Sequence, residues 1–210
     1  MPSLSAIRRS LATRMAMFAM VGGIVLIVII LVVVTARIRD DIFADRRDVI
    51  LTDARLRVAT VQAAFDTSGA TTADQVAAVA QAQISSVGQS FAGAGGVGVI
   101  LKRSGTETTA NVINDLTTDV KLMSLVSEDM ITALADGAGE HRQYWESVSV
   151  DSGNGPSPGL IVGQRVSLPL AGDYDLFLVY TLAPEQNVID LASRAVVIAG
   201  SGFLLMLILG

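Results

Sequence analysis

A handful of side chains in this sequence have the types and spacing that binding chemistry requires. Arg165 stands in the middle of an apolar segment, in alternation with Ile161 and Gly163. In the segment before it, Trp145 alternates with Ser147 and Ser149. A guanidinium, an indole and small hydroxyls gathered on one strand face could hold an anion or a carboxylate, because arginine offers a planar fork of donors. Trp145 and Arg165 are therefore the candidate ligand-binding residues. The competing reading is an ordinary sheet face in which Arg165 pairs with an acid.

The remaining candidates point away from catalysis. His141 is the single histidine. It lacks the His-Glu-x-x-x-Pro context of a kinase phospho-acceptor and reads as a solvated loop residue. One histidine builds neither a His-ligated zinc site nor a catalytic triad. There is no cysteine, which excludes disulfides, thiolate metal sites and thiol catalysis. The glycine-rich stretch Phe91 to Gly98 follows a helix and opens a strand. A dinucleotide fingerprint needs the reverse order, so this is a connector. The acidic pairs Asp40/Asp41, Glu128/Asp129 and Asp173/Asp175 lack EF-hand spacing. Ion pairing with Arg37, Arg39, Arg46 and Arg47 suits the first pair, and a turn suits the last. No catalytic residue, metal ligand or cofactor is assigned in this stretch.

The elements that would position these residues follow from pattern. Arg37 to Phe65 contains no Gly or Pro and reads as a long helix. Ile42, Val49, Leu56 and Ala63 recur every seven residues, with Ile38 and Ala59 at the alternating position but Asp45 and Thr52 there too. This is an imperfect heptad seam, so either the helix packs on its own domain or it pairs with its twin in a dimer. Ser68 and Gly69 break it. Thr72 with Gln75 forms a capping-box pattern for a second helix, with Val76, Val79, Ala80, Ile84 and Val87 on its apolar face, closed by Gly88 and the glycines after it. Val97 to Leu101 and Ala110 to Ile113 read as short strands, and Ser127 to Ala135 as a helix. Arg142 to Val150, Leu160 to Leu168 and Tyr174 to Leu182 read as three strands joined by short turns, hence antiparallel. The last is apolar on both faces, as a covered central strand would be.

Composition suggests a membrane. Of 210 residues 51% are hydrophobic and only 17% charged, against about a quarter charged in ordinary globular domains. The apolar excess lies at the two ends. Met15 to Ala36 is an uncharged run of 22 residues, enough for a helix of about 33 Å. It exceeds the usual signal-peptide core and no A-x-A site follows before Arg37, which favours an uncleaved anchor. Ala195 to Gly210 is a second such run, cut short as though a longer protein continued beyond it. The expected architecture is α+β and membrane-anchored. It comprises a cytoplasmic tail 1–14, a transmembrane helix 15–36, an extracytoplasmic domain 37–194 and a truncated transmembrane helix 195–210. The domain would be a long N-terminal helix plus a Cache/PAS-like antiparallel sheet, set between the two spans in a plasma membrane, with lipid as a partner. A net charge of −5 argues against nucleic acid as a partner.

The segment Gly159 to Ala195 (GLIVGQRVSLPLAGDYDLFLVYTLAPEQNVIDLASRA) resembles the membrane-proximal sensor segment of the MtrB family of actinobacterial two-component sensor histidine kinases. The shared features are an apolar strand carrying a glycine, a strand pair ending in Leu182, Ala183, Glu185 and Gln186, and immediate entry into an apolar run. The likeness covers roughly a fifth of the chain. It implies a homodimeric receptor in which this stretch senses a signal and anchors the protein. A further C-terminal part would carry the kinase, with its ATP and magnesium, and would phosphorylate a cytoplasmic response regulator. An envelope lipoprotein is a further partner the family implies. The alternative is a membrane-anchored envelope binding or scaffold protein without kinase activity.

Overall fold

One uninterrupted helix, α1 (Leu11–Asp66), takes up 56 of the 210 residues. The computed structural model describes residues 11–92, 95–105, 113–136, 142–151 and 155–182. The chain divides into two units, 1–45 with 193–210, and 46–192. In the first unit the described side chains of the apolar run, such as Val21, Leu26 and Val32, are about half exposed along α1. Among the described residues no helix is long and apolar enough to cross a membrane. The expectation of a plasma-membrane protein with an extracytoplasmic domain hung between two transmembrane helices is corrected on that ground. Nor does the helix end where the uncharged run ends at Arg37. The same helix carries on through Asp40, Asp41, Asp45, Arg46, Arg47 and Asp48. The second apolar run, 195–210, lies outside the described residues, as does His141.

The second unit is an α+β fold. Helix α1 stops where Ser68 Oγ donates to the carbonyl of Phe65 at 2.8 Å and Gly69 turns left-handed at φ 61°. Helix α2 (Ala73–Ala92) starts at the expected cap. Thr72 Oγ1 accepts from Gln75 N at 3.4 Å, while Gln75 Oε1 reaches back one residue further than a capping box, to Thr71 N at 2.9 Å. Gly88 does not close this helix; it runs on to Ala92 and buries Phe91 together with Val76, Ala80, Ile84 and Val87.

Then come β1 (Gly96–Arg103), β2 (Leu116–Thr117), a 3₁₀ turn η1 (Val120–Leu125), α3 (Glu128–Asp136), β3 (Gln143–Asp151), β4 (Pro156–Leu168) and β5 (Gly172–Thr181). The expected strand at Ala110–Ile113 lies largely outside the described residues, and the partner of β1 is Leu116–Thr117 instead. All pairings are antiparallel, in the order β2-β1-β5-β4-β3. β5 is central, and Tyr174 to Tyr180 are buried on both faces. Strand alternation sends Val99, Leu160, Val162, Leu178 and Tyr180 into a core with α1 and α2. It sends Ile100, Ile161, Phe177 and Val179 into a second core with Leu122 of η1 and Met130 and Leu134 of α3.

Candidate functional site

Arg165 on β4 stands directly across from Asp175 on β5, and Asp175 in turn faces Lys102 on β1. A carboxylate thus lies between two cations in one cross-sheet row, on the face covered by η1 and α3. Arg165 Nε donates to Asp175 Oδ1 at 3.3 Å, and Nη2 donates to Ser104 Oγ at 2.8 Å. The side chains are 16% and 3% exposed for Arg165 and Asp175, and Ser104 is buried as well. Burial pushes the Asp175 carboxyl above the ordinary carboxylate value of 3.8, against the opposing pull of Arg165. The pull of Arg165, with its hydrogen bond and that of the Ser104 hydroxyl, does not repay the lost hydration. Close packing beside this row is made possible by Gly163: a Cβ there would come within 2.9 Å of Leu134 Cδ1 and of the Phe177 ring.

Trp145 is elsewhere. It faces Val162 in register, and Val162 belongs to the core under α1 and α2. Arg165, three residues on, therefore points to the opposite side of the sheet. The structure does not bring the two candidate residues together. Trp145 is 41% exposed, and the Arg47 guanidinium lies over its ring at 5.5 Å from the centroid. Its indole already has a cation, supplied by α1, while Arg165 already has an acid. An anion at either place must compete with a partner the fold provides.

Sequence reasoning missed the more extensive polar cluster, on the face covered by the long helices. Tyr180 on β5 donates its hydroxyl to Asp53 Oδ2 on α1 at 3.0 Å, and Arg57 Nε donates to the same oxygen at 2.7 Å. Arg57 Nη1 reaches Ser90 Oγ on α2 at 3.3 Å, and its guanidinium lies over the Phe91 ring at 5.0 Å. Phe91 meets Tyr180 edge-on with centroids 4.6 Å apart. Burial, and then the Asp53 charge, push the Tyr180 hydroxyl well above the usual phenol range, so it remains a donor. A second link joins the hairpin to α1. Gln62 donates from Nε2 to the Ser167 carbonyl at 3.0 Å and accepts from Ser167 N at Oε1 at 2.8 Å. The i,i+4 pair Asp53/Arg57 was a visible signal; that Tyr180 would meet it was not.

The other candidates fall apart spatially. Glu128 and Asp129 sit in the first turn of α3, where acids suit the helix dipole. Among the described residues no three His, Cys, Asp or Glu side chains come together as a possible metal set. No protein-family model matches this chain, and no curated protein matches it.

Proposed function

We propose that residues 46–192 form the signal-input module of a two-component histidine kinase, which would phosphorylate a response regulator through a kinase part outside this stretch. The observation that carries this reading is the double attachment of one hairpin to one helix. The β4–β5 hairpin is the segment whose sequence resembles such sensors. It is hydrogen-bonded to α1 through Tyr180 to Asp53 and through Ser167 to Gln62. Nine residues separate the two attachment points on α1, about 13 Å along a helix. A ligand or partner that shifts the hairpin would thus displace a stiff helix rather than a flexible linker, which would absorb the motion.

The test is a chimaera in which this chain replaces the input region of a reporter histidine kinase. Cutting both attachments with Tyr180→Phe and Gln62→Ala is expected to change phosphorylation of the reporter regulator while the domain stays folded. Output that is the same with the attachments intact and cut would remove the reading.

A further inference from the structure

The two edges of the sheet are built differently. At one edge β2 is two residues long. At the other, β3 runs for nine residues (QYWESVSVD) in unbroken register with β4. Edge strands are ordinarily kept from pairing with other chains by shortness, by Lys or Pro, or by a bulge. β3 has none of these devices. The register fixes which of its backbone groups face outward. Leu182 N donates to the Pro158 carbonyl at 2.8 Å, so the even-numbered residues of β4 bond to β5 and the odd-numbered ones to β3. Gly159 and Ile161 therefore bond to Val148 and Glu146. Gln143, Trp145, Ser147 and Ser149 direct their N–H and C=O groups away from the sheet. Among the described residues no strand pairs with this edge, and Trp145, Ser147 and Ser149 are exposed.

We propose that the outer edge of β3 takes up an extended segment of a partner protein as an added antiparallel strand, with acidic residues at the C-terminal end of that segment. An extended backbone is the ligand that answers a row of alternating donors and acceptors. Charge sets its direction. Arg142 immediately precedes β3, and Arg55 Nη2 donates to the Gln143 amide oxygen at 3.4 Å. Both arginines are exposed, and among the described residues neither has an acid within ion-pair distance. The opposite end of β3 is Asp151. An antiparallel segment brings its C-terminal end to Gln143, so acids there meet the two cations and lie away from Asp151. The small side chains of Ser147 and Ser149 leave room for branched residues opposite them. The inference does not depend on the kinase reading.

Trp145 is the one tryptophan of the chain and stands on this edge, so its emission reports docking. The probes are acetyl-Thr-Val-Thr-Val-Thr-Asp-Asp-amide and its isomer acetyl-Asp-Asp-Thr-Val-Thr-Val-Thr-amide. Titrated into the full chain, the first should shift Trp145 emission to the blue in a saturable way, and the isomer should bind several-fold more weakly. Ser147→Pro removes a donor that faces outward and no bond to β4. It should keep the melting transition and lose the shift. Arg55→Glu should bring the two peptides to similar affinity. No saturable shift with the first peptide, an equal response to the isomer in the natural chain, a preference that survives Arg55→Glu, or a folded Ser147→Pro that still binds would each overturn the proposal. So would an unfolded Ser147→Pro, which would place that N–H inside the protomer's own ladder. An emission shift on concentrating the chain alone would assign the edge to a second copy and overturn it as well.

Discussion

The two faces of the sheet solve the same problem in different ways. Under α1 and α2 the polar groups are shared among three elements. Asp53 serves Tyr180 and Arg57 together, and Arg57 also meets Ser90 and the Phe91 ring. Asp53 keeps about a third of its side-chain surface in water. Under η1 and α3 a single carboxylate, Asp175, is almost fully enclosed and relies on Arg165 and its neighbours. The first arrangement links two helices to the central strand. The second fixes strand against strand, at a cost in desolvation that the pair only partly returns. A buried ion pair of the second kind is sensitive to the loss of one member, whereas a shared, partly wet network should degrade gradually.

The strongest disturbance should come from the strand that both faces share. Leu178 on β5 is fully buried, and Leu178→Asp places an unpaired carboxylate there. The expected cost of several kcal/mol is comparable to the whole stability of a domain, so thermal circular dichroism should show no cooperative transition. Next is Asp175→Ala, which leaves Arg165 enclosed without its acid and should cost about 3–5 kcal/mol in urea unfolding. Replacing the pair together, Arg165→Met with Asp175→Leu, should recover most of that loss. If the single and the double variant were equally damaged, the row would be held by something other than charge pairing.

On the opposite face Tyr180→Phe removes one hydrogen bond to a carboxylate and should cost about 1.5 kcal/mol, a clearly smaller shift of the urea midpoint. The pH dependence sharpens the contrast. Asp175 holds its proton to higher pH in the folded state than the 3.8 of an ordinary carboxyl. The native state therefore binds more protons than the unfolded one just above that value. The contribution of this group to stability rises as pH falls from neutrality toward 3.8, and is lost as pH rises through the folded value. Stability measured over that range should change less steeply in Asp175→Asn than in the natural chain. The smallest effect belongs to Trp145→Ala. The exposed Arg47–Trp145 contact is worth about 0.5–1 kcal/mol, so the melting temperature should move little.

Local rules settled the elements. Alternation and turn residues located β3, β4 and β5 to within a few residues, and the two-sided apolarity of Tyr174 to Leu182 placed that strand in the middle of the sheet, because only a covered strand needs both faces apolar. The cap at Thr72 and the break at Ser68 and Gly69 are equally local. Hydropathy over Met15 to Ala36 suggested a membrane span, but a count of apolar residues does not say how far the helix runs, and this one continues through a charged segment to Asp66. Which residues would share a site was also beyond local rules. Trp145 and Arg165 were each assigned a strand, but their common face depended on the pairing register, and a shift of one residue reverses every side chain. The register Trp145 to Val162 sends them to opposite sides. Likewise the heptad of α1 was plain in the sequence, while the choice between its two apolar stripes was not. Both satisfy a helical period, and only the packing of Ile50, Ala54, Val58, Val61 and Phe65 against the sheet decides which is the core and which is left facing water.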